Sequence, residues 1–218
     1  MTAIKFQVAH LGQAVIRYAT PKVIVNEINT VYEKAVKKAP TLNHYLIGKI
    51  NKEHSLYWDS VNESITKKHN FLSKNILIFF AERIRHYLAW HKIENPKFKI
   101  ISIWVNDMKA GEYNPVHVHH GDLTSGLSSV MFLKTDKNYG KEISREAEPM
   151  NGQLHIMGST TGPFAKDIYI SPQKIDEGDL FIFPYDVRHC VYPFKGKHKR
   201  RTLSFNADVK YAFGNLVN

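Results

Sequence analysis

The second half of the chain is a succession of short β-rich segments, and this pattern limits the fold more than any other feature of the sequence. The segments are 97–108, 126–134, 152–158, 179–184 and 201–209, and Gly, Pro or Asp separates many of them. In the last one, Leu203 and Phe205 would face one way, whereas Thr202, Ser204 and Asn206 would face the other. Many short strands without long helices between them predict a sandwich or jelly roll, and small polar groups on an inner face suit a barrel that holds a ligand.

The first 95 residues have a mainly helical texture. Residues 20–40 begin with Thr-Pro, carry apolar residues at helical spacing and stop at Pro40. Residues 70–93 carry a broad apolar stripe, which is typical of a helix packed on a sheet. We therefore expect an α+β fold in one compact domain. A mainly helical region over 1–95 would support a cupin-like, jelly-roll barrel over 96–218.

The net charge and the cysteine content indicate the kind of partner and the cellular location to expect. The chain has 30 Lys and Arg against 20 Asp and Glu, a formal net charge of +10. Such a balance can indicate a polyanionic partner such as nucleic acid, although runs such as 195–201 are also typical of a solvated surface. Cys190 is the one cysteine, so we expect a reducing, cytoplasmic location. We find no signal peptide and no apolar run long enough for a membrane span, so we expect no membrane partner.

Three histidines form a candidate metal site. His117 and His119 are an H-x-H pair, and on an extended strand residues i and i+2 point to the same face. His189 follows the apolar strand 179–184 and is the clearest third ligand. Two histidines with a carboxylate are typical of non-haem Fe(II) oxygenases, whereas three histidines also suit zinc with a bound water. Ligand type alone leaves the metal open.

Segments 104–134, 178–194 and 199–209, which contain these residues, resemble the Fe(II)- and 2-oxoglutarate-dependent dioxygenases. More narrowly, they resemble the small 2-oxoglutarate–Fe(II) oxygenases of phages, and the likeness covers about residues 97–210. In the family, a glycine precedes an H-x-D motif by six residues, as Gly111 precedes His117, and a distal histidine follows, as His189 does here. The resemblance implies a double-stranded β-helix with Fe(II) and 2-oxoglutarate as cofactors and O2 as co-substrate.

The sequence departs from that family pattern at one position. His119 stands where the wider family has the aspartate of H-x-D. The site could use His117, His119 and His189, or Asp122 could supply a carboxylate, or His120 and Asp122 could form the H-x-D pair. Because H-x-H is usual in the phage-type group, the resemblance favours the three histidines, with Asp122 and His120 as the fallback. Some zinc hydrolases also open with H-x-H, but they place an aspartate where this chain has Gly121.

The resemblance also implies an arginine, about ten residues after the distal histidine, that binds the C5 carboxylate of 2-oxoglutarate. Arg200 fits this position, and strand alternation would place Thr202 and Ser204 on the same face, where either could add a hydroxyl. Arg201 is the second choice, because a one-residue slip of the strand would reverse its faces.

The function implied is an oxygenase, and specifically a hydroxylase, that couples decarboxylation of 2-oxoglutarate to succinate with oxidation of a substrate. No catalytic residue is expected beyond the metal ligands. The substrate could be a protein, a nucleic acid or a metabolite, and the candidate substrate-binding residues are Trp104, Asn106 and Arg188. The alternatives are a cupin-like metal-binding module without oxygenase activity, or a structural, virion-associated protein that retains the fold. The sequence does not indicate an oligomeric state.

Overall fold

Two antiparallel sheets make up most of the computed structural model, which describes residues 13–43, 46, 48–61, 67–93, 95–137, 139, 150–158 and 166–210. The larger sheet comprises β1 (Ile16–Ala19), β2 (Glu53–Trp58), β3 (His69–Asn70), β4 (Lys97–Met108), β6 (Gly126–Lys134), β9 (Asp179–Pro184) and β11 (Arg200–Lys210). The smaller sheet comprises β5 (Asn114–His117), β7 (Leu154–Ile156), β8 (Ile168–Ile170) and β10 (His189–Val191). The strand orders are β1-β9-β6-β11-β4-β2-β3 and β5-β10-β7-β8. The expected α+β fold with a jelly-roll barrel is confirmed.

Both predicted helices are present, and both are shorter than the sequence pattern suggests. Helix α1 spans Lys22–Ala35, and helix α2 spans Lys74–Trp90. The second helix begins after Ser73, whose side chain accepts a hydrogen bond from the Ile76 amide, as an N-cap does. Among the described residues, neither helix nor any other is long and apolar enough to cross a membrane.

The N-terminal region also contributes strands, which the sequence analysis did not predict. Strand β1 pairs with β9, β2 pairs with β4, and β3 pairs with β2. The larger sheet therefore extends beyond the barrel strands on both sides. These extra strands give α1 and α2 a wide surface to pack on.

The main hydrophobic core lies between the helices and the outer face of the larger sheet. Its buried members include residues of α1 and α2 on one side and of β4, β6, β9 and β11 on the other. Phe80 of α2 is fully buried, and its ring centroid is 5.4 Å from that of Phe205 on β11. Leu203 belongs to the same core, so the odd-numbered residues of β11 face the helices.

A second core fills part of the space between the two sheets. Phe132 and Phe183, from the larger sheet, pack with Leu154 and Ile156 from the smaller one. These side chains close one part of the barrel with apolar groups. The remaining space between the sheets is a cavity, which is described below.

Replacement of Phe80 by alanine should destabilise the protein by about 3–5 kcal/mol, because it removes a buried ring and leaves a cavity. Urea unfolding followed by circular dichroism measures this change. Ile78→Ala is the matched control on the same helix, because Ile78 is 44% exposed, and it should change stability by roughly 0.5 kcal/mol or less. Equal losses in the two variants would contradict the packing of α2 on the sheet.

Candidate metal centre and cavity

The pairing of β5 with β10 places two histidines side by side. His117 and His189 are direct partners in the antiparallel register. His119 follows two residues after the end of β5, and its backbone N–H donates to the Tyr185 carbonyl at 2.9 Å. One potential ligand atom from each of the three histidines lies within 4.8 Å of the other two. Among the described residues, no other group of His, Cys, Asp or Glu comes together in this way.

Hydrogen bonds fix the orientation of two of these rings. The Nδ1 of His117 is 2.7 Å from the Pro115 carbonyl, and the Nδ1 of His189 is 2.9 Å from the Val187 carbonyl. Since a carbonyl only accepts, both rings carry their proton on Nδ1, and the lone pair is on Nε2. Second-sphere carbonyl contacts of this kind are usual for metal-binding histidines. The His117 Nε2 also lies 3.4 Å from the Asn114 side-chain nitrogen, at the long end of the hydrogen-bond range.

The spacing of the nitrogens suits a single ion. The Nε2 atoms of His119 and His189 are 3.2 Å apart. Two nitrogens that each bind one ion at about 2.1 Å, at right angles, lie roughly 3 Å apart. The ring centroid of His117 is 4.2 Å from that of His189 and 5.0 Å from that of His119.

Burial keeps all three imidazoles in the neutral form that binds metals. It lowers the pKa of His117 and lowers the pKa of His119 well below its usual value. The pKa of His189 falls to about 3, again mainly because burial disfavours the charged ring. A metal ligand must be unprotonated, so no free energy is spent on removing protons at neutral pH.

The fallback pair lies outside this cluster. The Asp122 carboxylate accepts hydrogen bonds from the Ser60 hydroxyl and, at 3.0 Å, from the Val61 amide. His120 is exposed, and its carbonyl accepts a hydrogen bond from the Asn206 side chain at 3.3 Å. Asp122 therefore ties the loop after His119 to the segment that follows β2.

A cavity of about 480 Å³ lies between the two sheets and includes the three histidines in its wall. The opposite wall is the inner face of the larger sheet, where Arg200, Thr202, Ser204 and Asn206 of β11 point inward. The alternation expected for this strand thus places the first three, the candidate anchor residues, on the cavity side.

Arg200 is a buried cation with an unfilled hydrogen-bonding position. It is 1% exposed, its Nε donates to the Gly152 carbonyl at 3.1 Å, and its guanidinium lies 4.9 Å from the centre of the Phe132 ring. Its Nη1 is 3.6 Å from the Met108 sulfur, and its Nη2 has no partner among the described residues. Burial lowers the pKa of Arg200 to about 10, so the group stays charged. A buried guanidinium with free N–H groups suits a carboxylate ligand.

Arg201, the second choice for the anchor, lies on the opposite face of β11. It donates to Asp107 at 3.2 Å, to Glu33 at 3.1 Å and to Asn29 at 2.9 Å. Its guanidinium also lies 4.5 Å from the centre of the Tyr32 ring. Arg201 therefore joins the sheet to α1 outside the cavity.

The candidate substrate residues separate into two groups. Trp104 and Asn106 of β4 line the cavity, and the ring centroid of Trp104 is 5.6 Å from that of His119. Arg188 is exposed and is not part of the cavity wall, because its side chain points away from the neighbouring His189.

Glu53 is a cavity residue that the sequence analysis missed. It is 5% exposed, lines the cavity and pairs across the strands with Asn106. Burial raises the pKa of its carboxyl to about 8, although a hydrogen bond from Asn106 opposes this shift. The β-rich run 53–58 was the available signal, but the pairing of β2 with β4 joins residues about fifty positions apart in sequence.

Comparison with known proteins agrees with this geometry. Residues 102–206 match the model of the family described as "Putative 2OG-Fe(II) oxygenase". No curated protein sequence matches the chain.

Solved structures with the same fold cover most of the chain. A prolyl-4-hydroxylase from Pseudomonas putida is 14% identical, with 92% of this chain and 94% of that one covered and a TM-score of 0.54. An oxidoreductase of the 2OG-Fe(II) oxygenase family from Burkholderia pseudomallei is 14% identical, with 89% and 84% covered and a TM-score of 0.57. A prolyl hydroxylase from Trichoplax adhaerens, solved with a hypoxia inducible factor peptide, is 12% identical, with 90% and 83% covered and a TM-score of 0.54.

The buried carboxyl of Glu53 should make stability depend on pH in a defined direction. Its pKa is raised on folding, from 4.5 to about 8, so the folded protein holds a proton that the unfolded chain has lost. Its contribution is complete below about pH 4.5 and is lost as the pH rises through about 8. Relative to Glu53→Gln, the wild type should therefore lose on the order of 2 kcal/mol or more between pH 5 and pH 9.

Urea unfolding of metal-free protein at a series of pH values measures this difference. Glu82→Gln is the control, because the Glu82 carboxylate is largely exposed on α2, and its difference from wild type should stay nearly constant. A constant difference between wild type and Glu53→Gln would show that the Glu53 carboxyl is ionised in the folded protein.

Proposed function

Because the chain belongs to the 2OG-Fe(II) oxygenase family, we propose that His117, His119 and His189 hold its Fe(II) and that Arg200 binds the far carboxylate of its 2-oxoglutarate. The enzyme is a 2-oxoglutarate-dependent dioxygenase, in which bound iron and O2 couple decarboxylation of 2-oxoglutarate to succinate with oxidation of a substrate. The observation that carries the residue assignment is a buried, incompletely paired arginine in the same cavity as three converging imidazoles.

The donor set fits Fe(II). Imidazole nitrogen is a suitable ligand for iron, and three ligands from one side of an ion leave positions for small molecules. The two bonds from Nδ1 to backbone carbonyls hold His117 and His189 in the tautomer that binds through Nε2. His119 is held through its backbone bond to Tyr185 and by the neighbouring Trp104 ring.

Three neutral ligands give this site a different charge from a site with an aspartate. A carboxylate would cancel one of the two positive charges of the ion, whereas imidazoles cancel none. The cavity with its ion and Arg200 would then carry three positive charges, and a dianionic co-substrate would neutralise two of them. The substitution of His119 for aspartate thus increases the electrostatic preference for 2-oxoglutarate.

The second point of attachment for 2-oxoglutarate is formed by Arg200, Thr202 and Ser204. The guanidinium can give a carboxylate two hydrogen bonds, and its Nη2 is already desolvated and without a partner in the described part of the chain. The hydroxyls of Thr202 and Ser204 lie on the same face of β11, farther toward the middle of the strand. Phe132 and Met108 exclude water around the guanidinium, which strengthens its attraction for an anion.

Loss of His119 should abolish tight metal binding, whereas loss of the adjacent His120 should not. His119→Ala removes one of three nitrogens, so we expect the affinity for Fe(II), or for Co(II) as a spectroscopic probe, to fall by more than the roughly 10–100-fold typical of a lost outer-shell partner. Anaerobic titration followed by visible absorption or calorimetry measures this affinity. Equal losses in His119→Ala and His120→Ala would favour the fallback site at His120 and Asp122.

Replacement of Arg200 by methionine should remove 2-oxoglutarate binding while the protein still folds. The charge has no carboxylate partner in the described structure, so its removal costs little, and the lost Nε bond to the Gly152 carbonyl should cost about 1–3 kcal/mol. We expect the affinity for 2-oxoglutarate to fall on the order of 100-fold or more, with a matching loss of O2-dependent succinate release.

Lys199→Met is the matched control, because Lys199 is the adjacent residue and its side chain is exposed. It should bind 2-oxoglutarate and release succinate as the wild type does. Unchanged 2-oxoglutarate binding in Arg200→Met would show that another group is the anchor. Absence of succinate release from the iron-loaded wild type would refute the oxygenase activity itself.

A further inference from the structure

The cavity contains one acidic side chain, and it lies on a different strand from the arginine. Among the described residues that line it, Glu53 is the one Asp or Glu, and Arg200 is the one Lys or Arg. Glu53 is level with Asn106 on β4 and Thr202 on β11, so two strand spacings, or roughly 10 Å, separate its backbone from β11. The carboxyl of Glu53 is therefore not the partner of the anchor arginine.

The Glu53 carboxyl group has an unfilled hydrogen-bonding position within the described structure. Its side chain interacts with Asn106, but its Oε2 is buried and has no hydrogen-bond partner among the described residues. The side-chain oxygens of Asn106 and Asn206, which also line the cavity, are likewise buried without partners. A buried acceptor without a donor costs free energy, so this wall of the cavity is suited to a ligand that brings N–H donors.

Two indole rings share this wall with Glu53. Trp104 is two residue pairs along β4 from the Glu53–Asn106 pair, and Trp58 is at the far end of β2. A register shift between Ser55 and Tyr57 brings Trp58 to the cavity side, where simple alternation from Glu53 would turn it away. Indole faces attract cations, and Trp104 is nearer to Glu53 along the paired strands than Trp58 is. A carboxyl and an indole on one wall of a cavity suit a positively charged nitrogen group.

We propose that Glu53, together with Trp104, binds a cationic nitrogen group, an alkylammonium or a guanidinium, of the molecule that the enzyme oxidises. This inference rests on the proposed function, because it places the substrate beside the three histidines. The Trp104 ring is 5.6 Å from the His119 ring, so a group bound at Trp104 is next to the three histidines.

The electrostatics of the cavity agree with this assignment. Burial disfavours the ionised carboxyl of Glu53 when nothing is bound, and a neighbouring cation favours it. An anionic substrate group would find no cation among the lining residues of β2 and β4, because the one arginine among the described lining residues is on β11. The proposed substrate is therefore the opposite in charge to the polyanions that the surface charge of +10 attracts.

Matched cationic and neutral probes test this inference. Wild-type protein loaded with Ni(II), which prevents turnover, and with 2-oxoglutarate is titrated with n-butylguanidinium against N-butylurea, and with n-butylammonium against 1-butanol. Binding is followed by tryptophan fluorescence and by calorimetry. We expect each cation to bind on the order of tenfold or more tightly than its neutral partner. Equal binding of the two members, or no binding of either cation, would overturn the inference.

Variants then assign the preference to Glu53. Glu53→Gln should reduce the preference for the cation to less than about twofold, because the amide has the shape of the carboxyl without its charge. Glu53→Asp, which keeps the charge, should retain part of it, and Glu82→Gln, on the exposed surface of α2, should retain all of it. A full preference in Glu53→Gln would remove Glu53 from the site.

The same titrations separate this inference from the proposed function. Binding of 2-oxoglutarate to the Ni(II)-loaded wild type is measured first, without any probe. If 2-oxoglutarate binds and the cation preference is absent, the substrate assignment alone is wrong. If the cation preference is present and 2-oxoglutarate does not bind, the proposed function is wrong and the cation site stands.

Discussion

The pleat of β11 separates the two chemical halves of this molecule. Its odd-numbered residues Leu203 and Phe205 pack under the helices, and its even-numbered residues Arg200 and Thr202 point into the cavity. The strand is hydrogen-bonded on both sides, to β4 and to β6, so its register is held along most of its length. A slip of one residue would put Leu203 in the cavity and turn the Arg200 guanidinium away from it. The burial of apolar side chains on one face therefore holds Arg200 in place on the other.

The same reasoning explains which parts of the fold were readable from the sequence. Strands 97–108, 126–134 and 179–184 were predicted with the observed bounds, because each is a continuous β-rich run ended by a turn residue or a polar residue. The predicted helix ends were less accurate. The apolar pattern includes residues 70–73, but α2 begins only after its cap residue Ser73, and the preceding His69 belongs to a strand, where it pairs with Trp58. Local sequence patterns predicted which helices and strands form, but contacts with distant parts of the chain determine where they end.

The candidate site was also predictable only in part, because some of its residues are positioned by local spacing and others by distant contacts. The i, i+2 spacing of the H-x-H pair predicted that His117 and His119 face the same side. The two rings do converge, although β5 ends at His117 and the Tyr185 carbonyl, not a strand pairing, holds His119. The direction of Asp122 depends on contacts with Ser60 and Val61, some sixty residues earlier, which no local pattern contains. Glu53 was missed because its place in the cavity follows from the pairing of β2 with β4. Residues whose role depends on non-local pairing were therefore beyond the reach of spacing arguments.

Two departures from expectation have one physical theme, which is the placement of negative charge. His119 stands where the H-x-D pattern has its carboxylate and lies in the cluster proposed to hold the metal, and an unexpected carboxyl, Glu53, appears on the opposite wall of the same cavity. A carboxylate bound to the ion would be neutralised by it, whereas the carboxyl of Glu53 is free to attract another cation. With the ligands and substrate proposed above, an all-histidine cluster would draw the dianionic co-substrate toward the ion, and Glu53 would draw a cationic substrate toward the other wall. Because 2-oxoglutarate is an anion and the proposed substrate is a cation, each would be disfavoured at the binding position of the other.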